Sequence, residues 1–324
     1  MRYFLTVFFF LLLTLNASTS LQKRTKVLMG TFASVSLNES DKGLYKGTFS
    51  VLNRVDNSLS SYKENSPIYI LNQKKKAQIN LYTYEAFRLS QEYYKKSAGY
   101  FNIAIGSVTK DLYHFGEEQR LPESWEVNSS DTSLSALSFD TKSASLGQGV
   151  KIDLGGMGKG YGVDRATEYL KINGVTEARV ALSGDIRCLG ICHIEINNPN
   201  AQAPLFSFYT KTQEMGISTS GNYNRYVKTP KNNHLINPKT KHPEQNFISI
   251  TLISKLPSSD IDAYATAASV MPKELAYTFL DSLDLAYVIL PTDGELVVSK
   301  NIDLFTMQED TFEQEPKDSE QKQF

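Results

Sequence analysis

Asp262 and Thr266 stand four residues apart in the segment Ser259-Asp260-Ile261-Asp262-Ala263-Tyr264-Ala265-Thr266. On a helix, residues i and i+4 share a face. A carboxylate and a hydroxyl on one face form half of a hard-cation site, of the kind Mg2+ completes with further oxygens, water and phosphate. The spacing also has a plainer reading. Ser259 or Asp260 caps the helix, and Asp262 merely meets the positive end of its dipole. Taken alone, a first-turn position favours the plainer reading.

The stretch Lys151–Arg165 holds five of the nineteen glycines: Gly155, Gly156, Gly158, Gly160 and Gly162. Glycine concentrates where the backbone takes positive φ or approaches another group closely. A strand-like lead-in, a glycine turn and a helix start together suit a phosphate. Two familiar phosphate loops are excluded. Gly160 follows Lys159 where a Walker loop needs Ser or Thr, and no register of these glycines supplies G-x-G-x-x-G. His234, in Asn232-Asn233-His234-Leu235-Ile236-Asn237-Pro238, has a side-chain type suited to proton transfer near neutral pH. A lone histidine is more often structural. The hydroxyl-rich Ser218–Tyr223 turn and Met29-Gly30-Thr31 are weak signals by themselves.

The elements around these groups are legible by period. Val27–Leu37 reads as a strand interrupted at Met-Gly-Thr. Tyr45–Leu59 carries Tyr45, Phe49, Leu52 and Val55 at helical spacing. Pro67–Asn72 reads as a connection, Tyr82–Lys96 as a second helix, and residues 116–147 as polar with short strands near Ala136–Phe139. A helix after the glycines stops at Asn173-Gly174. Strands follow over 179–182, 191–196, 205–209, 215–219 and 247–254. Helices at 260–271 and from Pro272, with strands at 286–290 and 295–298, close the chain. Irregular alternation implies an α+β fold with mixed or antiparallel sheets and packed helices. It forms a single domain over 21–307, open to division into two lobes.

Basic and acidic residues number 34 and 35, which gives no support to nucleic-acid binding. Arg2, the apolar run Leu5–Leu15 and the small, polar Asn16–Ser20 have the form of a secretory signal peptide over 1–20. The run falls short of the ~20 residues of a spanning helix. With no Cys near the cleavage zone, the expected location is exported and periplasmic. The acidic, Gln-rich segment 308–324 is expected to be disordered. Cys188 and Cys192 would lie ~13 Å apart on one extended segment, too far to bridge. Buried free thiols are the favoured reading, although a turn at Gly190 would allow a disulfide.

In order, these pieces resemble the ApbE family, the FAD:protein FMN transferases. The resemblance rests on Met29-Gly30-Thr31, Ser60-Ser61-Tyr62, Gly99-Tyr100-Phe101-Asn102, Asp153-Leu154-Gly155-Gly156 through Lys159-Gly160, and Ser183-Gly184-Asp185. It continues with Thr219-Ser220-Gly221-Asn222-Tyr223, His234-Leu235-Ile236-Asn237-Pro238-Lys239-Thr240 and Asp262-Ala263-Tyr264-Ala265-Thr266-Ala267. It spans roughly residues 27–300. Five positions depart from the family pattern. Asn102 and Asn237 stand for Asp, Ala104 for Thr, and Ser183 and Lys241 for Gly.

The resemblance implies Mg2+-dependent cleavage of the FAD pyrophosphate. FMN passes through a phosphoester to a Thr or Ser of an acceptor protein, and AMP is released. The implied acceptor is a flavin-carrying protein of an electron-transport complex, with membrane association only through that acceptor. Asp262, Thr266 and the Gly156 carbonyl would hold the metal. Met29, Tyr62, Tyr100, Phe101, Asn102, Asp153, Lys159 and Leu235 would hold FAD. His234 would be the acid–base group, with Asp262 as the alternative base. Two other readings use the same residues: an FAD pyrophosphatase releasing FMN and AMP, and an exported FAD-binding protein without catalysis.

Overall fold

A computed structural model describes residues 21–308; the expected leader at 1–20 and the tail from 309 onward lie outside the described residues. Strands β1 (Gln22–Leu28) and β2 (Thr31–Leu37) form a hairpin. Met29 and Gly30 both take positive φ, 55° and 69°, the two-residue turn whose twist matches paired strands. The interruption seen in the sequence is therefore a chain reversal, not a break in one strand. Helix α1 (Tyr45–Leu59), helix α2 (Pro67–Lys74), strand β3 (Lys76–Gln78) and helix α3 (Leu81–Lys96) follow. Helix α2 occupies the segment expected to be a connection. Ser66 accepts the Ile68 N–H and Pro67 begins the helix, a start signal in a segment too short to show a period.

Helices α4 (Gly106–Thr109) and α5 (Ser124–Ser129) precede strands β4 (Leu137–Phe139) and β5 (Ser143–Leu146) and the long helix α6 (Gly158–Ile172). Strands β6 (Ala178–Leu182), β7 (Asp185–Leu189), β8 (His193–Ile196), β9 (Phe206–Thr210), β10 (Glu214–Gly221) and β11 (Phe247–Ser254) come next. Helices α7 (Ser258–Ser269) and α8 (Lys273–Asp281) lead to β12 (Ala286–Pro291), β13 (Val297–Val298) and β14 (Thr306–Met307).

Eight strands form the main sheet in the order β1-β2-β6-β7-β10-β11-β12-β13, flanked by the small sheets β14-β9-β8 and β3-β5-β4. Every strand pairing is antiparallel, so the fold is α+β with antiparallel sheets. Period-two alternation sends successive side chains to opposite faces. Val180 and Leu182 pack under α1 and α6, and Ile250, Leu252 and Ile289 pack under α7 and its neighbours. Their neighbours Ala181, Ile253 and Val288 face the small sheet, against Ile194 and Phe208. Both faces are thus covered over β6, β7 and β10–β12, while β1 stays exposed at the edge, and one end of the sheet is left for chemistry. The β1–β2 turn, the β6–β7 turn and the end of β10 meet there.

Cys188 and Cys192 are bonded, with Cα atoms 6.1 Å apart. This corrects the free-thiol expectation. Gly190, at φ 80°, turns the chain between β7 and β8 and removes the extended geometry on which that expectation rested. Closing so short a loop contributes about 2 kcal/mol in the chain-entropy picture. The double variant Cys188→Ser/Cys192→Ser should lose about that much in denaturant unfolding; an unchanged midpoint would show that the bond adds nothing to stability.

Candidate active site

Of the five glycines of the 151–165 stretch, Gly156, Gly160 and Gly162 serve close approach. None of the five is among the glycines at positive φ. A side chain at Gly160 would place Cβ 2.2 Å from the Ser258 carbonyl oxygen and 2.8 Å from the Asp262 Cβ. Helices α6 and α7 touch here because one of them has no side chain. The strand-like lead-in reduces to one isolated bridge, Ile105 to Lys151.

That contact assembles a charged cluster. Asp262 Oδ2 accepts the Gly160 N–H at 3.0 Å, and Lys159 Nζ lies 3.3 Å from both Asp262 oxygens. Lys159 also reaches Asp185 Oδ2 at 2.6 Å, and Ser218 Oγ donates to the other Asp185 oxygen at 2.5 Å. Both carboxylates are buried. Burial, and then the neighbouring Asp185 charge, push the Asp262 carboxyl well above its usual range, while Lys159 opposes that rise. Burial works against a charged Lys159, but the two carboxylates outweigh it and hold the ammonium above its ordinary value.

The plainer reading of Asp262 does not hold. The first N–H groups of α7, those of Ser258 and Ser259, are taken by the Asp164 carboxylate of α6 at 2.7 and 2.8 Å. Asp260 accepts the Tyr93 hydroxyl instead. Asp262 is therefore spared for the cavity. Thr266 Oγ1 donates to the Gly156 carbonyl at 3.2 Å. A carboxylate, a hydroxyl and a carbonyl of this chain thus border one cavity. All three are hard oxygen donors, and the set leaves room for water and phosphate, which fits Mg2+.

The cavity measures about 320 Å3 and is lined by Met29, Tyr100, Phe101, Asn102, Asp153, Gly156, Lys159, His234, Leu235, Asp262 and Thr266. Eleven of the twelve residues expected at the site therefore meet in one place. Tyr62 is the exception. It is exposed beside the cavity, its hydroxyl donating to the Phe115 carbonyl at 2.6 Å and accepting from Arg225 of the lining. Lys159 lines the cavity, but its ammonium is committed to the two carboxylates. Although burial would raise the Asp153 carboxyl, Lys110, the Thr109 hydroxyl and the Gly155 N–H bring it down to about 2.

His234 is half-buried. Its backbone follows a 3.1 Å bond from its N–H to the Arg225 carbonyl, and Nδ1 lies 3.1 Å from the same oxygen. A carbonyl can only accept, so Nδ1 carries the proton and Nε2 keeps its lone pair. Burial, with the Arg225 charge, lowers the imidazole to about 4. The ring is neutral, and able to accept a proton, throughout the neutral range.

Two of the departures from the family pattern, Asn102 and Asn237, have local reasons. Asn102 Nδ2 donates to the Thr132 carbonyl at 2.8 Å while Oδ1 accepts the Ala104 N–H; a carboxylate could not make the first bond. Asn237 Nδ2 donates to Glu244, where an aspartate would be repelled. Ser183 and Lys241 take φ of 56° and 61°, conformations that glycine adopts without strain.

Fold and cavity define a metal-suited site between two helices at the end of an antiparallel sheet. Residues 29–289 match the ApbE family. The chain belongs to the ApbE family, and it is an enzyme, a transferase. It is 26% identical over 322 residues to the FAD:protein FMN transferase of Haemophilus influenzae, covering 86% of this chain and 91% of the relative. It is 26% identical to the protein of that name from Klebsiella pneumoniae, covering 74% and 79%. The fold is similar to the ApbE protein of Thermotoga maritima, with a TM-score of 0.80, 21% identity, and 89% and 100% of the two chains covered. The flavin transferase ApbE of Vibrio cholerae gives 0.75 and 21%, covering 88% and 99%.

Sequence reasoning gave no role to Asp185, Asp164, Thr109 or Arg225. Asp185 lies in the recognised Ser183-Gly184-Asp185 turn, and its spacing alone could have nominated it. Asp164 and Arg225 act across long chain separations that no local period reports.

Proposed function

We propose that the chain is a Mg2+-dependent FAD:protein FMN transferase, cleaving the FAD pyrophosphate and attaching FMN through a phosphoester to a Thr or Ser of an acceptor protein, with release of AMP. The observation that carries this reading is the meeting of Asp262, Thr266, the Gly156 carbonyl and a neutral His234 in one cavity. The relatives' names support it. Magnesium bound by those oxygens would neutralise the pyrophosphate and act as a Lewis acid. His234 Nε2 would accept the proton of the acceptor hydroxyl as its oxygen bonds to the FMN phosphorus. The bond from that phosphorus to the bridging oxygen breaks, and AMP leaves with that oxygen. Met29, Tyr100, Phe101 and Leu235 offer apolar surface to the ring systems. We also propose an exported, periplasmic location and an acceptor belonging to an electron-transport complex; the disulfide, a bond of oxidising compartments, supports the first.

The test is mass spectrometry of FAD and an acceptor protein incubated with the enzyme and Mg2+. FMN added to the acceptor supports transfer. AMP and free FMN formed at the same rate without acceptor would convert the reading to a pyrophosphatase, and turnover unaffected by EDTA would remove the metal from it. His234→Ala should slow transfer by about 10²–10⁴-fold. In the wild-type enzyme the His234 contribution to the acid limb of kcat/KM should lie near 4, because the imidazole must protonate before it stops accepting. A limb near 4 that persists unchanged in His234→Ala would contradict its assignment as base.

A further inference from the structure

Lys159 and Arg225 are the cations that line the cavity. The charge of Lys159 is taken up by Asp185 and Asp262. Among the described residues Arg225 makes no ion pair, yet its guanidinium is held in place. Nη2 donates to the Tyr62 hydroxyl at 3.2 Å, and that hydroxyl is fixed by its own bond to the Phe115 carbonyl. The guanidinium carbon lies 5.6 Å from the centre of the Phe115 ring, which stacks on Tyr113 at 5.3 Å and 4°. Gly116, at φ 93°, completes the seat. A Cβ there would sit 2.5 Å from the Tyr62 oxygen and 3.2 Å from Arg225 Nη2. Tyr62, Phe115 and Gly116 therefore present an exposed guanidinium, most of its donors free, at the cavity wall that carries His234.

A seated guanidinium that makes no ion pair is a receptor for a phosphate oxygen, since planar paired N–H donors match that anion; its charge reaches Asp153 across the cavity and helps to hold that carboxyl down, without direct contact. We propose that Arg225 is the diphosphate-binding residue of the site, taking the charge that Lys159 cannot take. The identity of the anion as the FAD diphosphate rests on the function proposed above; the anion site itself does not. By the same geometry the Tyr62 hydroxyl is a positioning group for Arg225.

The test is calorimetric binding of inorganic pyrophosphate in EDTA, alongside riboflavin binding followed by flavin fluorescence, for wild type, Arg225→Gln and Arg225→Lys. Arg225→Gln should weaken pyrophosphate by about tenfold or more, Arg225→Lys by less, and riboflavin binding should not change. Pyrophosphate that binds Arg225→Gln as well as wild type, or does not bind wild type, overturns the proposal. So does a parallel loss of both ligands, which marks a structural role. Arg225-dependent pyrophosphate binding by a protein that takes no riboflavin would uphold the anion site and sink the flavin reading.

Discussion

Asp262→Ala is expected to reduce Mg2+-dependent FAD turnover by about a thousandfold or more, with the fold intact. On the proposed reading the variant loses the charged member of the oxygen set, and metal-based charge stabilisation is worth several kcal/mol in a transition state. The fold should survive because α7 does not start on Asp262; its first N–H groups are held by Asp164. Two effects on stability oppose each other. The Gly160 N–H loses its acceptor, which costs about 1–3 kcal/mol for a buried donor. Against that, Asp185 is relieved of a buried like charge that disfavours ionised Asp262. The melting temperature should move little. Asp262→Asn keeps an acceptor for Gly160 and should melt nearer to wild type, while remaining as inactive as the alanine variant. AMP release, Mg2+ titration and thermal melting on the three proteins decide the matter. A variant that turns over FAD at the wild-type rate with Mg2+ would remove Asp262 from the metal site.

The contrast between Asp262 and Asp164 shows what the sequence could and could not disclose. Helices α1, α3, α6 and α7 are long enough for their apolar period to fix them within a few residues, and β11 alternates cleanly. Most of the cavity's lining was legible because ordered short motifs carry it. What each polar group does was less legible. Asp260 lies in the first turn of α7 and Asp262 two residues on. The cap comes from Asp164, about one hundred residues earlier, and burial assigns Asp260 to Tyr93. The glycines were visible as a cluster, but two causes, positive φ and close approach, produce the same composition. Only the packing of α6 on Ser258 separates them. Tyr62 is a similar case. An aromatic beside a cavity and an aromatic lining it look alike until the partner of the hydroxyl is known.

Lys159→Met should be the most destabilising of these changes, by about 3–5 kcal/mol, the usual cost of removing one member of a buried charge cluster. The methionine fills the volume of the lysine stem, so the loss isolates the charge. What remains is Asp185 beside Asp262, both buried, with Ser218 and the Gly160 N–H as neutral partners. Like carboxylates in one site cannot both ionise cheaply. The Asp262 carboxyl is already raised in the wild-type cluster even with Lys159 opposing, and removing that opposition raises it further. A carboxyl whose folded value exceeds its unfolded value favours folding at low pH and loses that contribution as pH rises through the folded value. The stability gap between wild type and Lys159→Met should therefore be wider at pH 8 than at pH 5, read as unfolding free energies in urea. A gap below about 1 kcal/mol, in the range of an exposed ion pair, or one of equal size at both values, would mean that the three charges do not act as one cluster. The pH dependence is the decisive readout, because a packing defect from the methionine would cost the same at either pH.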